Sequence, residues 1–490
     1  MRFLDRIVKT FAITAAIAGL AVFTPAFAAP ITFETHVDYP AAQFPFRVAS
    51  ADLNGDGRAD LITSNPAPFN PPSVVSVLLN LGDGTFAPAV FYPTGAPGRS
   101  VSAGDLDGDG DQDLAVGLQE GDFRVAVLEN DSQGHFAAPD LLAPIAGRPD
   151  GIAITDLDRD GDQDILIAQA AGDEVVVLRN LGGGTFAPPS AQAGMTDAYF
   201  VHLAVGDVDN DGAPDLAISR SLSGLPASLY HNRGDGTFEP RQALPAGTFE
   251  YAGGDFGDLD GDQDLDLVLV SELGPRVLML RNNGAGAFSA VGTFPSGVET
   301  QFGGKVTIAD LDADGQGDVI VPAANTYRVG ILRSNGAGLE AATFHELGGQ
   351  PTHVVASDLD EDGDLDLASA LPHSDELSVL LNVSSGTTGV DGAGAGPRVA
   401  LSFGPAFSNP TPLGATIPYV LPAAAQVRIA VLDVAGRRIR GLFAGERPAG
   451  SHVVTWDGRN DGGVRVGAGV YLVEMDGGSW RRTARIVVIP

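Results

Sequence analysis

The run Asp105-Leu106-Asp107-Gly108-Asp109-Gly110-Asp111-Gln112-Asp113-Leu114 sets oxygen-bearing side chains at loop positions 1, 3, 5 and 9 and a glycine at position 6. Glycine suits a place where a tight loop needs φ > 0. The alternation turns several carboxylates toward one point, and a hard cation is what can hold them there. The spacing is close to the D-x-[DN]-x-[DN]-G calcium pattern. An EF-hand would supply a bidentate Glu at position 12 and continue as a helix. Here position 12 is Val116, inside the apolar run Leu114 to Leu118, so the loop is expected to run into a β-strand.

The loop recurs seven times, opening at steps of 53, 51, 51, 51, 52 and 48 residues. Read at positions 1, 3, 5, 7 and 9, the first copy is Asp52, Asn54, Asp56, Arg58 and Asp60, and the second is Asp105, Asp107, Asp109, Asp111 and Asp113. The third is Asp156, Asp158, Asp160, Asp162 and Asp164, and the fourth is Asp207, Asp209, Asp211, Ala213 and Asp215. The fifth is Asp258, Asp260, Asp262, Asp264 and Asp266. The sixth is Asp310, Asp312, Asp314, Gln316 and Asp318, and the seventh is Asp358, Asp360, Asp362, Asp364 and Asp366. One such motif can be a solvated turn. Seven in register at a fixed period signal a repeat architecture.

The elements that hold these loops read as four short strands per period. In the second copy Arg99 to Gly104 precedes the loop, Leu114 to Leu118 follows it, and Phe123 to Asn130 alternates as a third strand. A Gly-rich turn then leads to a fourth strand opened by Phe136, and the turn recurs as Asn80 to Phe86, Asn180 to Phe186 and Asn232 to Phe238. Four strands in about 50 residues is the size of a propeller blade. The seventh copy stops after its third strand, Leu377 to Asn382, and residues 31–40 resemble the missing fourth one. Closure by that segment removes the open sheet edges and makes a ring of seven blades.

These repeats resemble FG-GAP/VCBS repeats, the blade type of integrin α subunits and many bacterial surface proteins, over about residues 31–383. The resemblance implies that each loop binds Ca²⁺ in the hairpin between the first two strands of its blade, up to seven ions in all. It implies ligands from the side chains at positions 1, 3, 5 and 9 and from the carbonyl at position 7. Two copies depart from the pattern. Asn54 stands at position 3 of the first and is still an oxygen ligand. Gln263 replaces glycine at position 6 of the fifth and is expected to strain that site.

With 62 acidic against 29 basic residues the chain carries −33, and 31 of the acids are Asp at positions 1, 3, 5, 7 or 9 of the seven loops. Nucleic acid is an unfavourable partner for such a surface. There is no cysteine, which excludes disulfides, thiol catalysis and thiolate metal sites. Residues 1–28 have the pattern of a secretory signal: Arg2, Arg6 and Lys9, a short apolar run from Phe11 to Phe23, and Ala26-Phe27-Ala28 for cleavage. An uncleaved anchor is the alternative. The mature chain is expected to have no transmembrane segment and to be secreted or displayed on a bacterial cell surface.

After the propeller at 29–383, residues 384–397 read as a flexible Gly/Ser/Thr linker. In 397–490 the composition turns to Arg and Val. Strands are expected at Thr416 to Leu421, Val427 to Asp433, His452 to Trp456, Val470 to Glu474 and Arg485 to Ile489, enough for a small sandwich. Ser408-Asn409-Pro410, Asp433-Val434-Ala435-Gly436-Arg437, Trp456-Asp457-Gly458 and Gly469-Val470-Tyr471 resemble the FlgD-like immunoglobulin domain and related C-terminal sorting domains. That resemblance implies a domain at 398–490 engaging outer-membrane secretion machinery or attaching the chain to the surface. A stabilising terminal module is the alternative. The fold class is therefore all-β, a seven-bladed β-propeller followed by a small β-sandwich.

The eight histidines show no H-x-x-x-H or H-E-x-x-H spacing, and no G-x-S-x-G elbow is present. Arg233-Gly234-Asp235 is a tripeptide that integrins recognise, but it sits in the repeated turn before Phe238, and a recognition role is not expected. The favoured reading is a non-enzymatic protein that binds a protein or glycan partner on a calcium-rigidified propeller. The alternative is a carbohydrate-active enzyme, a polysaccharide lyase or hydrolase, on the same scaffold. The metal loops occupy one end of the hairpins, so partner contacts are expected at the opposite rim. Residues five to eight places before each first Asp would line it: Arg47, Arg99, Asp150, Phe200, Tyr251, Phe302 and His353. Arg and aromatics are common interface anchors. Their alternative role is to cap the blade cores.

Overall fold

The computed structural model describes residues 30–66, 73–170, 174–194, 201–220, 227–247, 251–271, 274–297, 305–323, 325–384, 402–403, 415–421, 425–433, 437–447, 450–467, 469–476 and 481–488. The expected leader at 1–28, most of the expected linker at 384–397, Phe200, Phe302 and Ser408-Asn409-Pro410 lie outside the described residues. The described residues contain no helix, and so none long and apolar enough to cross a membrane.

Seven four-stranded antiparallel sheets follow one another along the chain. The second is built from Gly98–Gly104, Asp113–Leu118, Arg124–Leu128 and Asp140–Leu141. Burial peaks at the second strand, is partial along the innermost and is lost at the outermost. Asp113–Leu118 is buried at every residue, whereas Asp140–Leu141 is exposed. The second and third strands read as near-continuous apolar runs because both of their faces are covered by neighbouring sheets. Leu53, Ile62, Val75 and Val77 of the first sheet pack with Val101, Leu114, Val116 and Leu128 of the second. Val48, Leu61 and Leu78 of the first pack with Ala368, Leu377 and Val379 of the last. Each innermost strand touches the next, and His353–Ser357 returns to Arg47–Ala51, so the sheets form a closed ring.

The seventh sheet takes its outer strand from the start of the chain. Val37–Pro40 pairs antiparallel with Glu376–Leu380, Val37 opposite Val379 and Tyr39 opposite Leu377. Phe33 bridges Asn382 just as Phe86 bridges Asn80. Tyr39 then packs edge-on against Phe86 of the next sheet at 5.3 Å, and Tyr92 meets Phe136 in the same way at 5.2 Å. The N-terminal segment thus occupies the place of an ordinary fourth strand.

One feature of the blades differs from expectation. Phe86, Phe136, Phe186 and Phe238, which close Gly-rich turns, do not open the fourth strand. Each forms a lone bridge to the Asn just past the third strand, as Phe136 to Asn130, and the fourth strand begins four residues later.

The C-terminal residues form a second set of sheets. Ser402–Phe403, Ala415–Leu421 and Gly450–Trp456 make one; Arg438–Arg447, Ala425–Asp433, Gly469–Asp476 and Arg481–Val488 make the other. Trp456 of the first packs with Val427, Ile429, Val431, Val473 and Met475 of the second. The ten-residue strand Arg438–Arg447 was not foreseen. It is an edge strand, half exposed, and two register shifts against Ala425–Asp433 break its period-2 pattern.

Candidate functional site

Each acidic loop joins the first strand of a blade to its second, and its own carboxylates fold it. The position-1 Asp accepts the position-6 N–H in all seven copies, at 2.8–3.2 Å. The position-5 Asp accepts the position-7 N–H in all seven, at 2.8–3.1 Å. These bonds draw positions 1, 3 and 5 into one arc. Position 6 has positive φ throughout, including Gln263 at 72°, so the expected strain is there.

Position 4 also has positive φ in every copy, which the motif does not announce. It is Gly55, Gly108 and Gly261 in three copies, but Arg159, Asn210, Ala313 and Glu361 in the others, at 55–62°. Strain is therefore spread over copies three to seven and is not peculiar to the fifth.

Position 9 has a structural role besides any part in ligation. Asp113 is buried, and its two oxygens accept the N–H groups of Leu106 and Asn130 at 2.9 and 2.8 Å. The same pair of bonds is made by Asp60, Asp164, Asp215, Asp266, Asp318 and Asp366. Burial pushes these carboxyls up, to about 6 at Asp60, Asp113, Asp164 and Asp266, about 7 at Asp318 and about 8 at Asp366.

The loops have the donor set a hard cation needs. Asp105, Asp107 and Asp113 bring ligand atoms within 4.8 Å of one another; so do Asp156, Asp158 and Asp164, and Asp258, Asp260 and Asp262. Buried polar atoms are normally paired. Yet Oδ1 of Asp111, Asp156, Asp158, Asp260, Asp312 and Asp358 and Oε1 of Gln316 are buried without a hydrogen-bond partner. Inward oxygens of this kind are what coordination would satisfy.

Residues that the motif search passed over support the loops. Arg179, Arg281 and Arg333 each hold Oδ2 of a position-3 Asp, the first two at 2.8 and 2.9 Å, and Oδ1 of that Asp is the unpartnered atom. His231 occupies the same place in copy four, 3.6 Å from Asp209. The signal was present, since each stands just before the Asn or Ser that follows the third strand.

That next residue is a staple between blades. Asn180 Nδ2 donates to Gln163 O of its own loop and to Leu106 O of the preceding one, at 3.0 and 2.8 Å. Asn80, Asn130, Asn232, Asn282 and Asn382 do the same, and Ser334 reaches Leu259 O with its hydroxyl.

The tripeptide Arg233-Gly234-Asp235 is spent on its own turn. Arg233 donates to Phe238 O at 2.7 Å, and Asp235 accepts from Thr237 N and Oγ1 at 2.9 and 2.6 Å.

Where the innermost strands begin, at the end away from the loops, a cavity of about 370 Å³ lies on the ring axis, and all seven blades line it. Arg47, Asp150 and His353 of the expected face are there, and Arg99 is held beside it by Asp150 at 2.7 Å. Tyr251 is not. It is 3% exposed in the core between the fourth and fifth blades and donates to Ala246 O. In its stead His202, Asp255 and Lys305 line the cavity.

The error has a physical cause. Arg99 and Asp150 are the extra residues of β-bulges, where pairing skips from Gly98 to Ser100 and from Pro149 to Gly151. A bulge re-aims side chains. Sequence offset alone therefore does not say which residue faces the axis, and blade five has its bulge one place after Tyr251.

The FG-GAP-like repeat family matches residues 52–116, 156–218, 221–269 and 258–321. The FlgD Ig-like domain family matches 412–479. Integrin alpha-4 of Xenopus laevis is 29% identical over 169 residues, 30% of this chain and 16% of that protein. Cartilage acidic protein 1 of Xenopus tropicalis is 24% identical over 406 residues, 72% of this chain and 61% of that protein. The chain thus spans only part of the length of these relatives. Among solved structures, BBS1N in complex with ARL6DN superposes with a TM-score of 0.50 at 12% identity, covering 71% of this chain and 96% of that one, a likeness of fold alone.

Proposed function

We propose, for a chain that belongs to the FG-GAP-like repeat proteins and carries a C-terminal FlgD Ig-like domain, a role in recognition outside the cell: a calcium-rigidified propeller that binds a protein or glycan partner. The observation that carries this reading is the sevenfold acidic loop, five copies of which hold buried oxygens without a hydrogen-bond partner. In each site the side chains at positions 1, 3, 5 and 9 and the position-7 carbonyl would hold the ion. When bound, Ca²⁺ supplies charge neutralisation and cross-linking, not reaction chemistry. The chain's own residues do the rest: Arg179, Arg281 and Arg333 orient ligands from behind, and the Asn staples lock each loop to its neighbour.

Millimolar extracellular calcium suits sites of this kind, whose Kd values run at about 10⁻⁴–10⁻³ M. The leader-like residues 1–28 and the FlgD-like domain agree with export, the domain acting as the handle for secretion machinery or surface attachment. Partner contacts belong to the rim around the axial cavity. The two axial carboxylates are each held by cations, Asp150 by Arg99 and Arg148 at 2.7 Å and Asp255 by Lys305 at 3.9 Å. The double ion pair holds Asp150 in place, an arrangement suited to positioning a ligand, and so favours binding over polysaccharide cleavage. The test is a glycan and extracellular-protein array probed with the calcium-loaded chain and again after chelation. Binding lost on chelation is expected. Turnover of a polysaccharide without retention on it would contradict the reading.

A further inference from the structure

The axial cavity has a composition unlike the rest of the molecule. In a chain of −33, Lys305 is the only lysine beyond Lys9, and it lines this cavity with Arg47. Arg99 and Arg148 sit beside it on Asp150, at 2.7 Å each. Four cationic side chains thus gather around two carboxylates, Asp150 and Asp255. Arg47 is buried, and its Nη2 lies 3.4 Å from Nδ1 of His202. A guanidinium cannot accept, so Nδ1 of His202 accepts and Nε2 carries its proton. Burial and Arg47 hold His202 and His353 neutral, and burial with the nearby Arg99 lowers Arg47 to about 10. Ser50, Ser100 and Ser102 add hydroxyls, and Val101, Ile152, Leu203 and Val355 add aliphatic wall.

We infer that this cavity binds a small organic carboxylate with a hydroxylated body, the size and chemistry of a uronic acid. A planar guanidinium matches a carboxylate in two-point geometry. Like-charged buried groups are relieved when an anion joins them. The volume falls at the low end of small-ligand sites, about 300–1,000 Å³, and admits a single sugar. The acidic exterior repels a densely charged polyanion, whereas one carboxylate can reach the axis, where the local charge is positive. The proposal rests on the reading of this rim as the ligand face and narrows it to one chemistry.

The experiment is isothermal titration of the full calcium-loaded chain with sodium galacturonate, with galactose, with trigalacturonate and with sodium sulfate. Galacturonate is expected to bind and galactose not. Arg47→Gln and Lys305→Gln should each weaken it by about tenfold or more. Lys305 is only half-buried, so its variant keeps the test valid if Arg47→Gln fails to fold. Tighter binding of the trisaccharide identifies a chain end as the natural ligand, and equal binding identifies a free acid; both support the site. Sulfate binding as tightly as galacturonate overturns the carboxylate assignment. Calcium-dependent binding of galactose or of an array glycan, unaffected by both variants, overturns the anion site and leaves the recognition role standing. No binding of any of the four overturns the site outright.

Discussion

Two positions in every loop need a left-handed backbone, yet only copies one and two have glycine at both, Gly55 and Gly57, Gly108 and Gly110. A non-glycine residue there costs about 1 kcal/mol. Gln263→Gly and Ala313→Gly are expected to raise stability, and the gain is trimmed by the greater freedom of glycine in the unfolded chain. Gly108→Ala should lower it, and no atom lies within 4 Å of the new Cβ, so that melt reads backbone strain alone. Thermal melts of the three variants check the set; a loss from Ala313→Gly would contradict the strain at position 4. The position-9 carboxyls make a second prediction. Their folded values lie above the ordinary carboxylate value, so folded chain binds more protons than unfolded chain between about pH 4 and 8. Their stabilising contribution is present at low pH and lost as pH rises through about 6 to 8. Calcium-free protein should melt higher at about pH 5.5 than at about pH 8, and calcium, which favours the ionised form, should flatten that slope. A metal-free Tm that climbs with pH would sink this account.

Between the loops and the ring stand the elements, where the sequence was least explicit. The loops, the strand count per period and the N-terminal strand were legible because each has a strong local pattern: alternating Asp, buried apolar runs, and a Phe–Tyr spacing shared by Phe33–Tyr39 and Phe86–Tyr92. The staples were visible only as turn residues, because the carbonyls they bind lie in another blade. Their weight can be measured. Asn180→Ala strips donors from Leu106 O and Gln163 O and should cost roughly 1–3 kcal/mol. Asn180→Ser, which copies Ser334 of blade six, should cost less because one hydroxyl can still reach Leu106 O. Denaturant unfolding of both variants decides it, and equal costs would mean that the bond to the preceding blade carries little. Tyr251 was misplaced for a related reason. A bulge is a property of two strands, and one residue of slip exchanges the channel face for the core face.

At the scale of the whole molecule, one ring concentrates most of its negative charge in seven loops at one end and a small positive cluster on its axis. The ring closes through Val37–Pro40 and is covered on every blade face by its neighbours. What remains unbalanced is the charge of the loops, and its neutralisation by bound cations is the central claim. At free calcium about tenfold above Kd, each site would add about 1.4 kcal/mol. Seven independent sites would add on the order of 10 kcal/mol, less the cost of ordering the loops, and that is comparable to the whole stability of a domain. The most direct measurement is a thermal melt of the full chain at fixed ionic strength, with millimolar calcium and after chelation, joined to a metal count on the calcium-loaded protein. The account predicts a Tm many degrees higher with calcium and a count approaching seven. An unchanged Tm with fewer than about three ions bound would contradict it.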